Sequence, residues 1–76
     1  MTEKLLFSFV ADLAGCDPAE ITRQTRFIED LQFDSLDVVN LTVDVEDVID
    51  KYLPEEDIEK LLTVGEFFDY VQKVSA

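Results

Sequence analysis

The sequence predicts an all-α domain, a small antiparallel bundle of three main helices plus one short helix, with a long loop between the first and second helices. Three observations carry this expectation. Apolar residues recur three and four positions apart in separate stretches, capping residues stand at the ends of those stretches, and no segment sustains the period-two alternation of a strand. The 76 residues amount to a single domain, 1-76. Apolar residues make up 47% against 32% charged, enough to hold a folded core despite a formal net charge of -12.

The first helix shows in Leu5, Leu6, Phe9, Val10 and Leu13 at helical spacing, with Thr2 as N-cap and Gly15 as its stop. Asp17-Pro18-Ala19-Glu20 places a cap, a proline at the first helical position and an acid three residues after the cap, the signature of a short helical turn. The stretch from Ile21 to Phe33 is expected as an ordered loop whose Phe27, Ile28 and Leu31 pack inward. A second long helix is expected from about Leu36 to Asp50, capped by Asp34 or Ser35 and ended before Pro54. Pro54-Glu55-Glu56-Asp57-Ile58 opens the short helix, with acids in its first turn where they complement the helix dipole. Thr63-Val64-Gly65-Glu66 reads as a capping box, and Val64, Phe67, Phe68 and Val71 continue the last helix.

Charge and residue types exclude much. There is no His and one Cys, so zinc sites built from His and Cys, and Ser/His or Cys/His nucleophile pairs, are ruled out within the chain. Cys16 cannot form an internal disulfide and reads as a small filler near a helix end. No stretch is apolar enough to span a bilayer and no signal peptide shows, so the expectation is a cytoplasmic protein without membrane insertion. The acidity lies in the middle: residues 29 to 59 hold twelve of the eighteen acids and only one base, Lys51. Such a surface repels nucleic acid and attracts basic proteins, metal ions or cationic ligands.

Set at 100° intervals, the second helix carries two apolar groups. Val38, Leu41, Val45, Val48 and Ile49 form the core side; Leu36, Val39 and Val43 lie opposite, among Asn40, Asp47 and, further round, Asp37, Asp44 and Glu46. Either neighbouring helices cover the second group, or it is a docking surface on which apolar anchors sit inside an acidic rim that steers a basic partner. Asp34-Ser35-Leu36-Asp37 stands at the start of this helix. A serine there serves as an ordinary cap, yet an exposed hydroxyl beside free backbone N–H groups also suits a phosphate ester, against which the neighbouring carboxylates act.

Leu31-Gln32-Phe33-Asp34-Ser35-Leu36-Asp37 is similar to the attachment motif of the acyl carrier proteins. The likeness extends to Phe27-Ile28-Glu29-Asp30-Leu31, Leu53-Pro54 and Thr63-Val64 at family-like spacings. The resemblance implies that Ser35 bears a 4'-phosphopantetheine arm, taken from coenzyme A, whose thiol carries an acyl chain; this chain would itself be no enzyme. It implies that Asp34, Leu36 and Asp37 are recognised by the phosphopantetheinyl transferase (holo-ACP synthase). Leu36, Asp37, Val39, Asn40, Val43, Glu46 and Asp47 would meet fatty acid synthesis enzymes and acyltransferases through their basic docking patches. Phe27, Ile28, Leu41, Val45, Ile58, Leu61 and Phe67 would line an acyl pocket, the carrier acting as a monomer. Two positions depart from the family: Gln32 stands where Gly is common, followed by bulky Phe33 that would alter the surface beside the arm, and Asn40 stands where Glu is common. A carrier for polyketide or aminoacyl units is the variant within this class; carriers of that kind are often less acidic and embedded in larger chains.

Two other classes compete. An acidic divalent-cation-binding helical protein would draw on Asp44, Glu46, Asp47 and Asp50, but no 12-residue loop with a central Gly is present, and no metal site is expected. An enzyme built on paired carboxylates needs a concave site that so short a bundle scarcely forms. Asn40-Leu41-Thr42 fits the glycosylation pattern but falls inside a helix.

Overall fold

A computed structural model describes residues 1 to 75. Among them are four α-helices, α1 (Glu3–Ala14), α2 (Ser35–Ile49), α3 (Glu55–Ile58) and α4 (Val64–Ser75), a 3-10 turn at Pro18–Glu20, and no strand. This is the bundle of three long helices and one short helix expected from the sequence.

The helix ends follow the capping residues. Thr2 Oγ1 accepts the Leu5 N–H at 3.1 Å, and Gly15 closes α1 in the left-handed conformation, φ 73°, its N–H donating to Ala11. Asp17 and Glu20 form a reciprocal capping box around the 3-10 turn. At α4, Thr63 Oγ1 accepts from Glu66, but the Glu66 carboxylate takes the Leu62 N–H rather than that of Thr63, so the expected box is shifted by one donor.

The core joins all the long helices: Leu6, Val10 and Ala11 from α1, Leu41 and Val45 from α2, Val64, Phe67 and Val71 from α4. Leu53 and Ile58 close it from the far side, while Val38 and Ile49 pack against it half-buried. Val48, expected in the core, is 44% exposed, because the inward sector of α2 is narrower than its apolar stripe.

The long loop is tied down by backbone as well as by side chains. The first N–H groups of α4 have no partner within their own helix. Val64 N–H donates to Thr25 at 2.9 Å and Gly65 N–H to Arg23 at 2.9 Å, while Phe27 N–H donates to Leu62. A Cβ on residue 65 would lie 2.9 Å from both Cβ and the carbonyl oxygen of Arg23, so only glycine lets the loop approach this closely. Arg23 then bridges Glu3 of α1 at 2.7 Å and Asp69 of α4 at 2.8 Å. Arg26 pairs with Glu29 and Asp30; its backbone N–H, then its guanidinium, hold the Asp30 carboxyl below the usual carboxylate range.

Phe27 and Phe33 are the loop's apolar anchors. Their rings stack at 6.0 Å, and Phe27 meets Phe67 edge-on at 5.8 Å. Phe33 is buried, not on the surface beside Ser35 as its position in the motif suggested. Gln32 explains this: it adopts φ 57°, a left-handed conformation that turns the chain so that the next side chain enters the core. Leu31 is half-buried as expected, but Ile28 stays 59% exposed and outside the closed core, because Phe27 already fills the inward position.

Candidate functional site

The start of α2 is built by two acids. Asp34 is the N-cap: its Oδ1 accepts the Asp37 N–H at 2.9 Å, and Asp37 Oδ2 accepts the Asp34 N–H at 3.2 Å. This reciprocal box fixes the helix so that Ser35 is its first residue rather than its cap. Ser35 and Asp34 are exposed and Asp37 is half-buried. No side-chain hydrogen bond engages the Ser35 hydroxyl among the described residues, which leaves it free for modification. The helix N-terminus favours a phosphate there, and the two carboxylates act against it.

Beside Ser35 opens a cavity of about 410 Å³ between α2, α3 and the long loop. Ser35, Val38, Val39, Thr42 and Val43 of α2 form one wall. Tyr52 and Leu53, in the segment joining α2 to α3, together with Ile58, Leu61 and Leu62, form the other, and Phe27 and Ile28 close the loop side. Glu55 and Glu59 stand at its edge. The lining is mainly apolar. Thr42, 8% exposed, satisfies its own hydroxyl by donating to the Val38 carbonyl at 2.8 Å and so presents its methyl group to the wall at little polar cost. The fit to a phosphopantetheine arm rests on this juxtaposition, a free hydroxyl at the mouth of a mainly apolar cavity.

The residues expected as an acyl pocket divide. Phe27, Ile28, Ile58 and Leu61 line the cavity; Leu41, Val45 and Phe67 are fully buried in the closed core and do not. Leu41 and Val45 face α1 and α4 because that is the centre of the helix's inward sector. The cavity uses the flank between that sector and the outward one, which also accounts for the unexpected lining positions Val38 and Thr42, while Leu53 enters the wall from the segment that follows α2. Thr42 was the available signal, a β-branched polar residue among apolar neighbours on that flank.

The expected docking residues also divide. Leu36 is 64% exposed, and Val39 and Val43 are 42% and 48% exposed. Val39 and Val43 reach into the cavity wall as well, so neighbouring helices do not cover this face. Asn40 and Asp47 are exposed. Glu46 is half-buried, its Oε2 accepting the Leu53 N–H at 2.7 Å. None of the ion pairs among the described residues reaches the acids of α2, so no described cation pairs directly with that helix's carboxylates.

Among the described residues, no group of three or more His, Cys, Asp or Glu side chains is arranged to hold a metal ion. No helix is long and apolar enough to cross a membrane.

Known proteins match this arrangement along most of the chain. Residues 4–71 match the family model described as the phosphopantetheine attachment site. The acyl carrier protein of Lactobacillus johnsonii is 40% identical over 76 residues, covering 95% of each chain. That of Rhodococcus erythropolis is 38% identical over 93% of this chain and 78% of its own. The meromycolate extension acyl carrier protein of Mycolicibacterium aurum is 36% identical over 91% and 71%. The solved structure of acyl carrier protein from Enterococcus faecalis superposes with a TM-score of 0.72 at 28% identity, covering 97% of this chain and 99% of that one. With its four helices in that arrangement and the attachment-site match running from Lys4 to Val71, the chain belongs to the acyl carrier proteins, a carrier that bears phosphopantetheine rather than a catalyst.

Proposed function

We propose that this chain carries fatty acyl intermediates on a 4'-phosphopantetheine arm joined to Ser35 and presents them to enzymes of fatty acid biosynthesis. The observation that carries the reading is the exposed, unengaged Ser35 hydroxyl at the first position of α2, opening onto a mainly apolar cavity of about 410 Å³. When attached, the arm supplies the terminal thiol that holds the acyl chain as a thioester. The chain's own residues do the rest. Asp34 and Asp37 fix the backbone at Ser35 and, with Leu36, offer the transferase its recognition surface. Phe27, Val39, Thr42, Ile58 and Leu61 offer an aliphatic chain a dry wall, which favours a fatty cargo over a polar aminoacyl unit.

Docking follows from charge. Leu36, Val39 and Val43 provide apolar anchors, and Asp37, Asn40, Asp47 and the outer part of Glu46 make a polar, largely acidic surround that raises encounter rates with basic patches on the transferase, on fatty acid synthesis enzymes and on acyltransferases. A net charge of -12 keeps copies apart, and the carrier works as a cytoplasmic monomer. The test is loading in vitro. Incubated with coenzyme A and a phosphopantetheinyl transferase, the chain gains the mass of one arm and Ser35→Ala gains none. Failure of the wild type to load alongside a control carrier would refute the reading.

A further inference from the structure

We propose that Glu46 is a positioning residue that holds the Tyr52–Leu53 wall of the cavity against α2, and that it does so through the length of its side chain rather than its charge. The inference deepens the carrier reading and rests on it for its significance. Glu46 lies one turn before the end of α2. Asp50 ends the helix in the left-handed conformation, φ 55°, with its N–H on the Glu46 carbonyl at 2.8 Å. The reversal folds residues 51 to 53 back along the last turn, where Glu46 Oε2 takes the Leu53 N–H at 2.7 Å, the shortest of the side-chain bonds made to a backbone N–H among the described residues.

Tyr52 and Leu53 belong to the cavity wall; Glu46 does not. Leu53 is buried, whereas Tyr52 beside it is 78% exposed, so this bond is the one polar tie between the wall's leading edge and α2 among the described residues. Beyond it stand Glu55, Glu56, Asp57 and Glu59, which repel the acids of α2 and favour separation of α3 from that helix. The bond opposes this repulsion where the separation would begin. Its loss would widen the cavity at Tyr52 and Leu53 and leave a sheltered acyl chain open to water.

Two substitutions separate reach from charge. Glu46→Gln keeps a carbonyl acceptor at the same reach and removes the charge; Glu46→Asp keeps the charge and falls one methylene short. Amide hydrogen exchange followed by NMR on the full chain reads the bond directly. In the wild type the Leu53 amide exchanges more slowly than those of Lys51 and Tyr52. In Glu46→Asp it exchanges about tenfold faster or more, in Glu46→Gln within a few-fold of wild type, and Phe67 in the core is unchanged in both. On the loaded carrier, hydroxylamine cleaves a long-chain thioester faster in Glu46→Asp than in wild type, while an acetyl thioester reacts equally in both. Wild-type behaviour of the Leu53 amide in Glu46→Asp, or equal loss of protection in Glu46→Gln, overturns the proposal. Failure to load Ser35 refutes the carrier reading instead and leaves the exchange result to decide the role of Glu46.

Discussion

Gln32→Gly is expected to stabilise this protein. Gln32 is held at φ 57° by its neighbours: the Leu31 N–H donates to Arg26, and the Phe33 N–H donates to Phe27 at 2.9 Å, so residue 32 cannot relax without pulling Phe33 from the core. A left-handed conformation costs an L-residue about 1–2 kcal/mol. Glycine removes that cost but gains about 0.5–1 kcal/mol of freedom in the unfolded chain. Gln32 is exposed and its side chain makes no hydrogen bond among the described residues, so little else is lost. The net gain is about 0.5–1 kcal/mol, a rise in Tm of roughly 2–8 °C for a domain of this size. Thermal unfolding followed by circular dichroism measures it, with Gln72→Gly inside α4 as the control that should lose about 0.5–1 kcal/mol. Asp50→Gly repeats the logic at φ 55° and also removes a carboxylate from the negative end of α2. A fall in Tm for Gln32→Gly like that of the control would refute the left-handed turn and with it the explanation of why Phe33 is inside.

Phe33→Ala should cost about 3–5 kcal/mol, much of the stability of so small a domain, and Phe33→Leu no more than about 1.5, as read from urea midpoints. Were Phe33 on the surface, as its place in the motif first suggests, neither would shift the midpoint appreciably. Tyr70 gives a prediction in alkali. Burial, and then its hydrogen bond to Asp57 at 2.9 Å, raise the phenol's pKa above its ordinary 10.0, so the neutral phenol favours the folded state. That contribution is fully present below pH 10.0 and is lost as pH rises through the folded value. Wild type is therefore more stable than Tyr70→Phe near neutrality, and the gap closes above pH 10.0; a gap independent of pH would show that the Tyr70–Asp57 bond does not link α4 to α3.

The helices were legible because their ends carry chemistry. Thr2, Gly15, Asp17 and Asp34 each stop or start a helix by a hydrogen bond or a backbone conformation that their residue type favours. Ser35 stood out through the likeness of residues 31 to 37 to the acyl carrier attachment motif rather than through capping, and its part in attachment is the proposal made above. What escaped lay in tertiary context. The inward turn of Phe33 depends on the backbone conformation of Gln32, a residue type that seldom announces it. The cavity uses the flank of α2 between its two apolar groups, and a helical projection that sorts residues into inside and outside has no place for that flank. Glu46 looked like one more surface acid because its partner, Leu53 N–H, arrives only after the chain reverses at Asp50.

Everything proposed for this carrier depends on Ser35 bearing the arm and an aliphatic cargo. Intact mass and fragment analysis of the chain purified from its native host tests it most directly. A phosphopantetheine arm bearing an acyl group is expected on the fragment containing Ser35 and nowhere else. An unmodified Ser35 in actively growing cells, or an arm mapped to another residue, would contradict it.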